Sequence, residues 1–349
     1  MKKRPIMLGI GAAVFIVVSV YLSSSPYALT SVPLTTNVIH SAFAQQAELT
    51  LPELFKQTKD SVVEIESTVS NPTSSILING IPSEGQTTRL GSGFIYDAQG
   101  HIVTNDHVVA GTQTVYVTFA DGNTYTAKVI GTDQYNDMAV LKIVDNFTGE
   151  KIIPLQLGDS SQIQVGQDVA AIGNPFGLTQ TITHGIISSI GRSLSEPTTG
   201  GFSIPGIIQT DASINPGNSG GPMLDMYGRV IGMNTAIQSN SGDFAGIGFA
   251  IPSNQIARII PVLIKNGTYQ HPWLGIEGRN MDNDLALANN LPSNYKGVMV
   301  MKVVQGSPAY KAGIQAATLD QNDIPHGGDI IIGVDGHKIK TIYDIIVFK

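Results

Sequence analysis

The chain has no cysteine in its 349 residues. That excludes disulfide staples, a thiol nucleophile and thiolate metal sites, although it fixes no compartment. Charge is also scarce: Asp, Glu, Lys and Arg make up 13% of the residues, and acids outnumber bases to leave a net charge of −7. Without a basic excess, neither nucleic acid nor an anionic lipid surface is expected as the main partner. His101, His184, His271, His326 and His337 are scattered among turns and strand ends with no metal-ligand spacing, and no glycine-rich phosphate loop is present. No metal and no cofactor is therefore expected. Glycine, by contrast, is plentiful at 38 residues, which fits a turn-rich β body better than a helical one. The length allows about two domains.

Long apolar runs are missing too, apart from Ile6 to Leu22, which follows Lys2-Lys3-Arg4. That run is near the lower limit for spanning a bilayer and longer than the apolar core of an ordinary signal peptide. Basic residues ahead of it place the rest of the chain outside the cytoplasm. A single-pass signal anchor over residues 1–22 is the favoured reading, followed by a linker over 23–50. The alternative is a cleaved leader, with Ala42-Phe43-Ala44 as the small-residue site and a secreted or periplasmic product.

Beyond the linker, Leu51 to Thr58 has helical spacing and Ser61 to Ile65 reads as a first strand. Asn71 to Thr88 is polar and broken by Gly and Pro, and is expected to be a loop. Short strands separated by turn signals follow: Leu90–Tyr96, Ile102–Thr104, Val115–Phe119, Tyr125–Ile130, Val169–Gly173, Thr179–Ile190, Ile207–Thr210, Val230–Ile237 and Gly246–Ile251. This even spacing reads as mainly β, with antiparallel barrels. Pro252 to Asn266 carries Ile256, Ile259, Ile260 and Leu263 on one face and predicts a helix.

Three stretches carry chemistry. In Gly217-Asn218-Ser219-Gly220-Gly221-Pro222 the glycines let the backbone adopt restricted conformations beside a hydroxyl. The N–H groups of Gly217 and Ser219 can then converge on one point, as an oxyanion hole requires. A hydroxyl nucleophile also needs a base and an acid to orient that base. His107 stands at the end of the strand in Thr104-Asn105-Asp106-His107-Val108-Val109, and Asp137 precedes the apolar run Met138 to Ile143. Asp106 and Asp133 are the rival acids, the first misdirected by its adjacency to His107 and the second without a strand to bury it. The order His, Asp, Ser is that of chymotrypsin, and nothing helical is expected after Ser219, unlike the nucleophile elbow of the α/β-hydrolases.

Together these motifs resemble the HtrA/DegP family of trypsin-like serine proteases that carry a C-terminal PDZ domain. The resemblance runs from about Leu54 to the end of the chain. It implies a chymotrypsin-like double β-barrel over residues 51–268 with the triad His107, Asp137 and Ser219 in the cleft, and a PDZ-like domain over 269–349. It also implies an S1 pocket built from Ser213, Asn234, Ala236 and Ile247, where a neutral Ser213 favours small aliphatic side chains. Ser213 can equally be a structural serine bonded to a neighbouring carbonyl. Leu274, Gly275 and Ile276 in His271-Pro272-Trp273-Leu274-Gly275-Ile276 match the loop that receives a peptide C-terminal carboxylate. Two departures stand out: an insertion from Gln315 to Gly327, and an end at Lys349 inside the expected groove helix, so that the PDZ-like domain is read as C-terminally incomplete. The implied function is proteolysis of unfolded or misfolded proteins, in a homotrimer. A chaperone or scaffold that binds unfolded chains without cutting them is the second reading.

Overall fold

The computed structural model describes residues 47–349 except 79–80, 146–151, 175–179, 196–202, 216, 238–244 and 348–349. The apolar run Ile6 to Leu22 and most of the linker expected over 23–50 lie outside the described residues. No helix among the described residues is long and apolar enough to cross a membrane.

A short helix, α1 (Leu51–Thr58), opens the body, its N-terminus closed by Glu53, whose carboxylate accepts from the Thr50 N–H at 2.9 Å. Six strands then form a closed barrel: β1 (Val62–Ile78), β2 (Ile81–Ile95), β3 (His101–Thr104), β4 (Thr114–Thr118), β5 (Thr124–Asp133) and β6 (Met138–Ile143), in the order β1-β2-β3-β6-β5-β4. Side chains alternate faces along a strand, and β4 shows the consequence: Val115 and Val117 are buried while Tyr116 stands outside. They join Val63, Ile65, Ile95, Ile102, Ala127 and Leu141 in the barrel interior. The segment expected to be a loop over Asn71 to Thr88 instead belongs to β1 and β2, which pair antiparallel as far as Ile78 with Ile81. The register shifts between Asn71 and Ser75, so the Pro72 that breaks the sequence pattern falls where an irregularity can take a residue without a ladder donor.

A second closed barrel follows from β7 (Asp168–Gly173), β8 (Thr181–Ser195), β9 (Ser203–Thr210), β10 (Pro222–Leu224), β11 (Val230–Ile237) and β12 (Gly248–Pro252), in the order β10-β11-β12-β9-β8-β7. Val169, Ile187, Ile208, Met223 and Ile231 fill its interior. The largest core cluster joins the barrels: Val62, Phe94, Val103, Met138 and Val140 from the first meet Ile172, Ile207, Leu224, Met233 and Ile251 from the second. Helix α2 (Asp106–Val109) lies within the first barrel's chain, and α3 (Ser253–Asn266) closes the body with Ile256, Ile259, Ile260 and Leu263, all fully buried in that cluster. Each such side chain contributes about 1.5–3 kcal/mol by leaving water. The cleft between the barrels is thus held by a continuous apolar layer.

The C-terminal part holds a three-stranded sheet in the order β13-β14-β17, from β13 (Ile276–Asn280), β14 (Val298–Val303) and β17 (Ile330–Ile331). Around it are the helices α4 (Asn283–Ala288), α5 (Pro308–Lys311) and α6 (Ile342–Val347). The insertion from Gln315 to Gly327 forms a small hairpin, β15 (Thr318–Leu319) with β16 (Pro325–His326), and a second hairpin joins β18 (Gly333–Val334) to β19 (His337–Lys338).

Candidate active site

The site lies where the two barrels meet. Strand β3 ends at Thr104, and fully buried Asn105 then precedes the single turn that carries His107. On the neighbouring strand, a 3-10 turn over Gln134–Asn136 delivers Asp137 immediately before β6. Asp137 adopts φ 52° and ψ 50°, left-handed values that a non-glycine residue takes only where its surroundings insist on them. Asn105 supplies part of that insistence, its Nδ2 donating to the Asp137 carbonyl at 3.0 Å.

Asp137 is 2% exposed, and its carboxylate would be costly to bury without partners. It has three donors. His107 Nδ1 stands 2.8 Å from Oδ2 and 2.9 Å from Oδ1, and the His107 backbone N–H donates to Oδ1 at 3.0 Å. The third donor is Thr235 Oγ1, 2.5 Å from Oδ2, which reaches across from β11 of the second barrel. Ser219 sits in the loop before β10, and its Oγ donates to the carbonyl of the same Thr235 at 3.3 Å. Thr235 therefore bridges the acid and the serine. The strand β10, and no helix, follows Ser219, as expected.

The loop around Ser219 depends on its glycines. Gly217 has φ 101° and Gly220 φ 86°, and a Cβ on Gly220 would lie 2.1 Å from the Ser92 carbonyl oxygen and 2.3 Å from Thr104 Oγ1. Any other residue there would separate the loop from the first barrel. The N–H of Asn218 is bonded to the Asn215 carbonyl at 2.9 Å and that of Gly220 to the Asn234 carbonyl at 2.8 Å. Among the described residues, the N–H groups of Gly217 and Ser219 make no hydrogen bond, which leaves two donors free at the serine.

The rival acids are placed elsewhere. Asp133 ends β5 at 3% exposed, contrary to the expectation that no strand would bury it, but its carboxylate takes His271 Nε2 at 2.8 Å and Asn136 Nδ2 at 2.8 Å. Asp106 has its carboxyl pushed up to about 6, first by burial and next by the negative charge of Asp137.

The residues expected to shape a specificity pocket come together only in part. Ser213 is half-buried, and its carbonyl is held by Thr183 Oγ1 at 2.9 Å, while its hydroxyl makes no hydrogen bond among the described residues. Asn234 is fully buried and spends its amide on the Pro222 carbonyl at 3.3 Å. Ile247 packs at the edge of the inter-barrel core, and Ala236 pairs with Phe249 across β11 and β12. In the C-terminal part, Gly275 has φ 77°, and a Cβ there would fall 2.2 Å from that of Ser307. Its carbonyl takes the Val304 N–H at 2.8 Å and that of Leu274 takes the Ala309 N–H at 3.0 Å, so these two carbonyls are held inside the fold. Ile276 begins β13.

Two residues that hold the site escape a reading of the sequence. Thr235 stands between two residues of the expected pocket, Asn234 and Ala236, and Ser92 reads as part of an ordinary strand. The available signal is a polar residue at a buried strand position, Ser92 flanked by Gly91 and Gly93 in an apolar stretch, since such groups must find partners.

Residues 91–233 match the trypsin-like peptidase domain and residues 272–346 the PDZ domain. The chain is 41% identical over 302 residues to Protease Do-like 1 of Arabidopsis thaliana, covering 86% of this chain and 66% of that one. It is 44% identical over 270 residues to the putative serine protease HhoA of Synechocystis, covering 74% and 63%. A DegP-like probable periplasmic serine endoprotease of Chlamydia trachomatis is 42% identical over 270 residues, covering 75% and 50%. The chain thus spans half to two thirds of the length of these curated relatives. Among solved structures, the HtrA-type protease AlgW with a decapeptide superposes at a TM-score of 0.68 with 33% identity, over 85% of this chain and 89% of that one. With two closed barrels, a PDZ domain and this degree of likeness over most of its length, the chain belongs to the HtrA/DegP family of trypsin-like serine proteases.

Proposed function

We propose that the protein is a serine endopeptidase of extracytoplasmic protein quality control, hydrolysing peptide bonds in unfolded or damaged proteins. The observation that carries this reading is the buried Asp137 carboxylate bonded to His107 Nδ1, with Ser219 tied to the same pair through Thr235. Because Nδ1 faces the carboxylate, the imidazole keeps its proton there and offers Nε2 as the base. In the proposed reaction Ser219 Oγ gives up its long bond to the Thr235 carbonyl and attacks the scissile carbonyl carbon while its proton passes to His107. The carbonyl oxygen takes up negative charge and is received by the N–H groups of Gly217 and Ser219. His107 then protonates the leaving amine as the C–N bond breaks, leaving an acyl-enzyme that water hydrolyses by the same sequence in reverse.

Neutral Ser213 supports cleavage after small aliphatic residues, since a buried Lys or Arg would lose hydration without a counter-charge. Leu274, Gly275 and Ile276 are proposed to receive peptide C-termini. A homotrimer, and anchoring through Ile6 to Leu22 with the body outside the cytoplasm, complete the proposal. The deciding experiment replaces Ser219 by Ala. The variant should keep the wild-type melting temperature and lose casein digestion by on the order of 10⁴-fold or more, together with labelling by a fluorophosphonate. Unchanged digestion would remove the assignment.

A further inference from the structure

Ser92 is fully buried at the point where β2 passes the loop that carries Ser219, and its three polar groups make four hydrogen bonds. Its Oγ donates to the Gly217 carbonyl at 2.5 Å and accepts the Asn174 N–H at 2.9 Å. Its own N–H donates to the Ser219 carbonyl at 2.8 Å, and its carbonyl accepts Thr104 Oγ1 at 2.7 Å. One residue of the first barrel thus grips the second barrel's loop on both sides of Asn218. It also grips the strand end that leads to His107.

The bond to Gly217 has a specific geometric consequence. The peptide unit between Gly217 and Asn218 is fixed at both edges, its carbonyl by Ser92 Oγ and its N–H by the Asn215 carbonyl at 2.9 Å. Gly217 has no Cβ and sits at φ 101°, so its backbone has little intrinsic preference between orientations. With the following peptide unit pinned, one side of Gly217 is anchored, and the direction of its N–H turns on the two backbone dihedrals of Gly217 itself. We infer that Ser92 is a positioning residue for the oxyanion hole: its hydroxyl, by holding the Gly217 carbonyl, aims the Gly217 N–H at the developing oxyanion. The inference rests on the proposed roles of Gly217 and Ser219. Ser92 never touches substrate, and acts on the transition state only through Gly217.

Such a group should affect turnover more than substrate binding, because the oxyanion exists only after attack. Removing a whole oxyanion-hole donor costs on the order of 10²–10³ in kcat. Letting one drift should cost roughly tenfold. The test compares Ser92→Ala with Ser253→Ala, which removes another buried serine bonded to a backbone carbonyl (Gly158 at 2.7 Å), away from the loop. Steady-state kinetics on a peptide substrate would be joined to the inhibition constants of a peptide aldehyde, whose carbon bonds to Ser219 Oγ as the serine proton moves to the new hemiacetal, and of the matching peptide alcohol, which forms no such bond. For Ser92→Ala we expect kcat to fall about tenfold with KM changed less than about threefold, aldehyde affinity to fall in parallel with kcat, and alcohol affinity to hold. Ser253→Ala should change melting temperature alone. Wild-type kcat in Ser92→Ala, or equal weakening of aldehyde and alcohol, would overturn the inference. Should Ser92→Ala not fold, Ser92→Gly removes the same hydroxyl, and a wild-type kcat and aldehyde affinity in it would count equally against Ser92. A Ser219→Ala variant that still cut substrate would instead refute the triad reading itself.

Discussion

Replacing Thr235 by Val keeps the shape of the side chain and removes one hydroxyl. That hydroxyl is one of three donors to a carboxylate that is 2% exposed, and at 2.5 Å its bond is the shortest of them. A hydrogen bond to a charged group contributes about 1.5–3 kcal/mol. If that energy is expressed in the transition state, where the imidazolium beside Asp137 is fully charged, each 1.36 kcal/mol is a factor of ten. We therefore expect kcat/KM to fall roughly ten- to a hundredfold, mostly in kcat. Part of the cost also falls on the resting protein, which keeps a buried carboxylate with one donor fewer, so the melting temperature should drop by a few degrees. The assay is peptide hydrolysis across pH 5–9 with thermal unfolding in parallel. A variant that melts lower but turns over within about twofold of wild type would refute the reasoning, because Thr235 would then be holding the barrel together and contributing nothing to His107.

Other outcomes follow from the same geometry. Gly217→Val should lower turnover without unfolding the protein, since a β-branched residue is strained at φ 101° and would turn its N–H away from the serine; wild-type turnover would exclude Gly217 as a donor. Asp106, with its carboxyl pushed up to about 6 by burial and by Asp137, is raised above its unfolded value, so its contribution to stability is present below about pH 4 and is lost as pH rises through 6. Asp106→Asn should consequently match the wild type in urea midpoint at pH 4 and exceed it at pH 8, and a lower midpoint at pH 8 would contradict this. Mapping of cleavage sites on an unfolded substrate should place most cuts after Val, Ala, Ile or Leu, and a majority after Arg or Lys would overturn the reading of Ser213.

The parts of the molecule that the sequence announces are those where local chemistry and global fold agree. Helix α3 is legible because Ile256, Ile259, Ile260 and Leu263 share one face, and that face is buried. Gly217 and Gly220 declare themselves because only glycine tolerates their backbone angles and, at Gly220, the approach of Ser92. The hairpin of β1 and β2 past Asn71 is hidden because pairing is a property of register: Ile78 finds Ile81 across the two strands, while Pro72, Gly80 and Pro82 read locally as breaks. Asp133 is hidden for a similar reason, since the partner that accompanies it into the interior, His271, lies far along the chain.

The partners of Ser92 and Thr235 are not legible in the sequence, for a reason that bears on how the site works. Each belongs to one barrel and serves a residue of the other. Ser92, on β2, holds the loop of Gly217 and Ser219 in the second barrel, whereas Thr235, on β11, holds Asp137 of the first. A polar residue in an apolar strand shows that a partner is needed, but not which residue of the other barrel supplies it. The arrangement makes the two halves of the site mutually dependent. The proposed base and its acid come from one barrel and the proposed nucleophile with its N–H donors from the other, and the apolar layer from Phe94 to Met233 sets only the distance between them. Apolar contacts are not directional, so a small slip of one barrel against the other would cost that layer little. Hydrogen bonds are directional and short. The two crossing bonds, each 2.5 Å long, therefore fix the orientation that the core leaves loose, and a slip that broke either would misalign catalytic groups on both sides of the cleft.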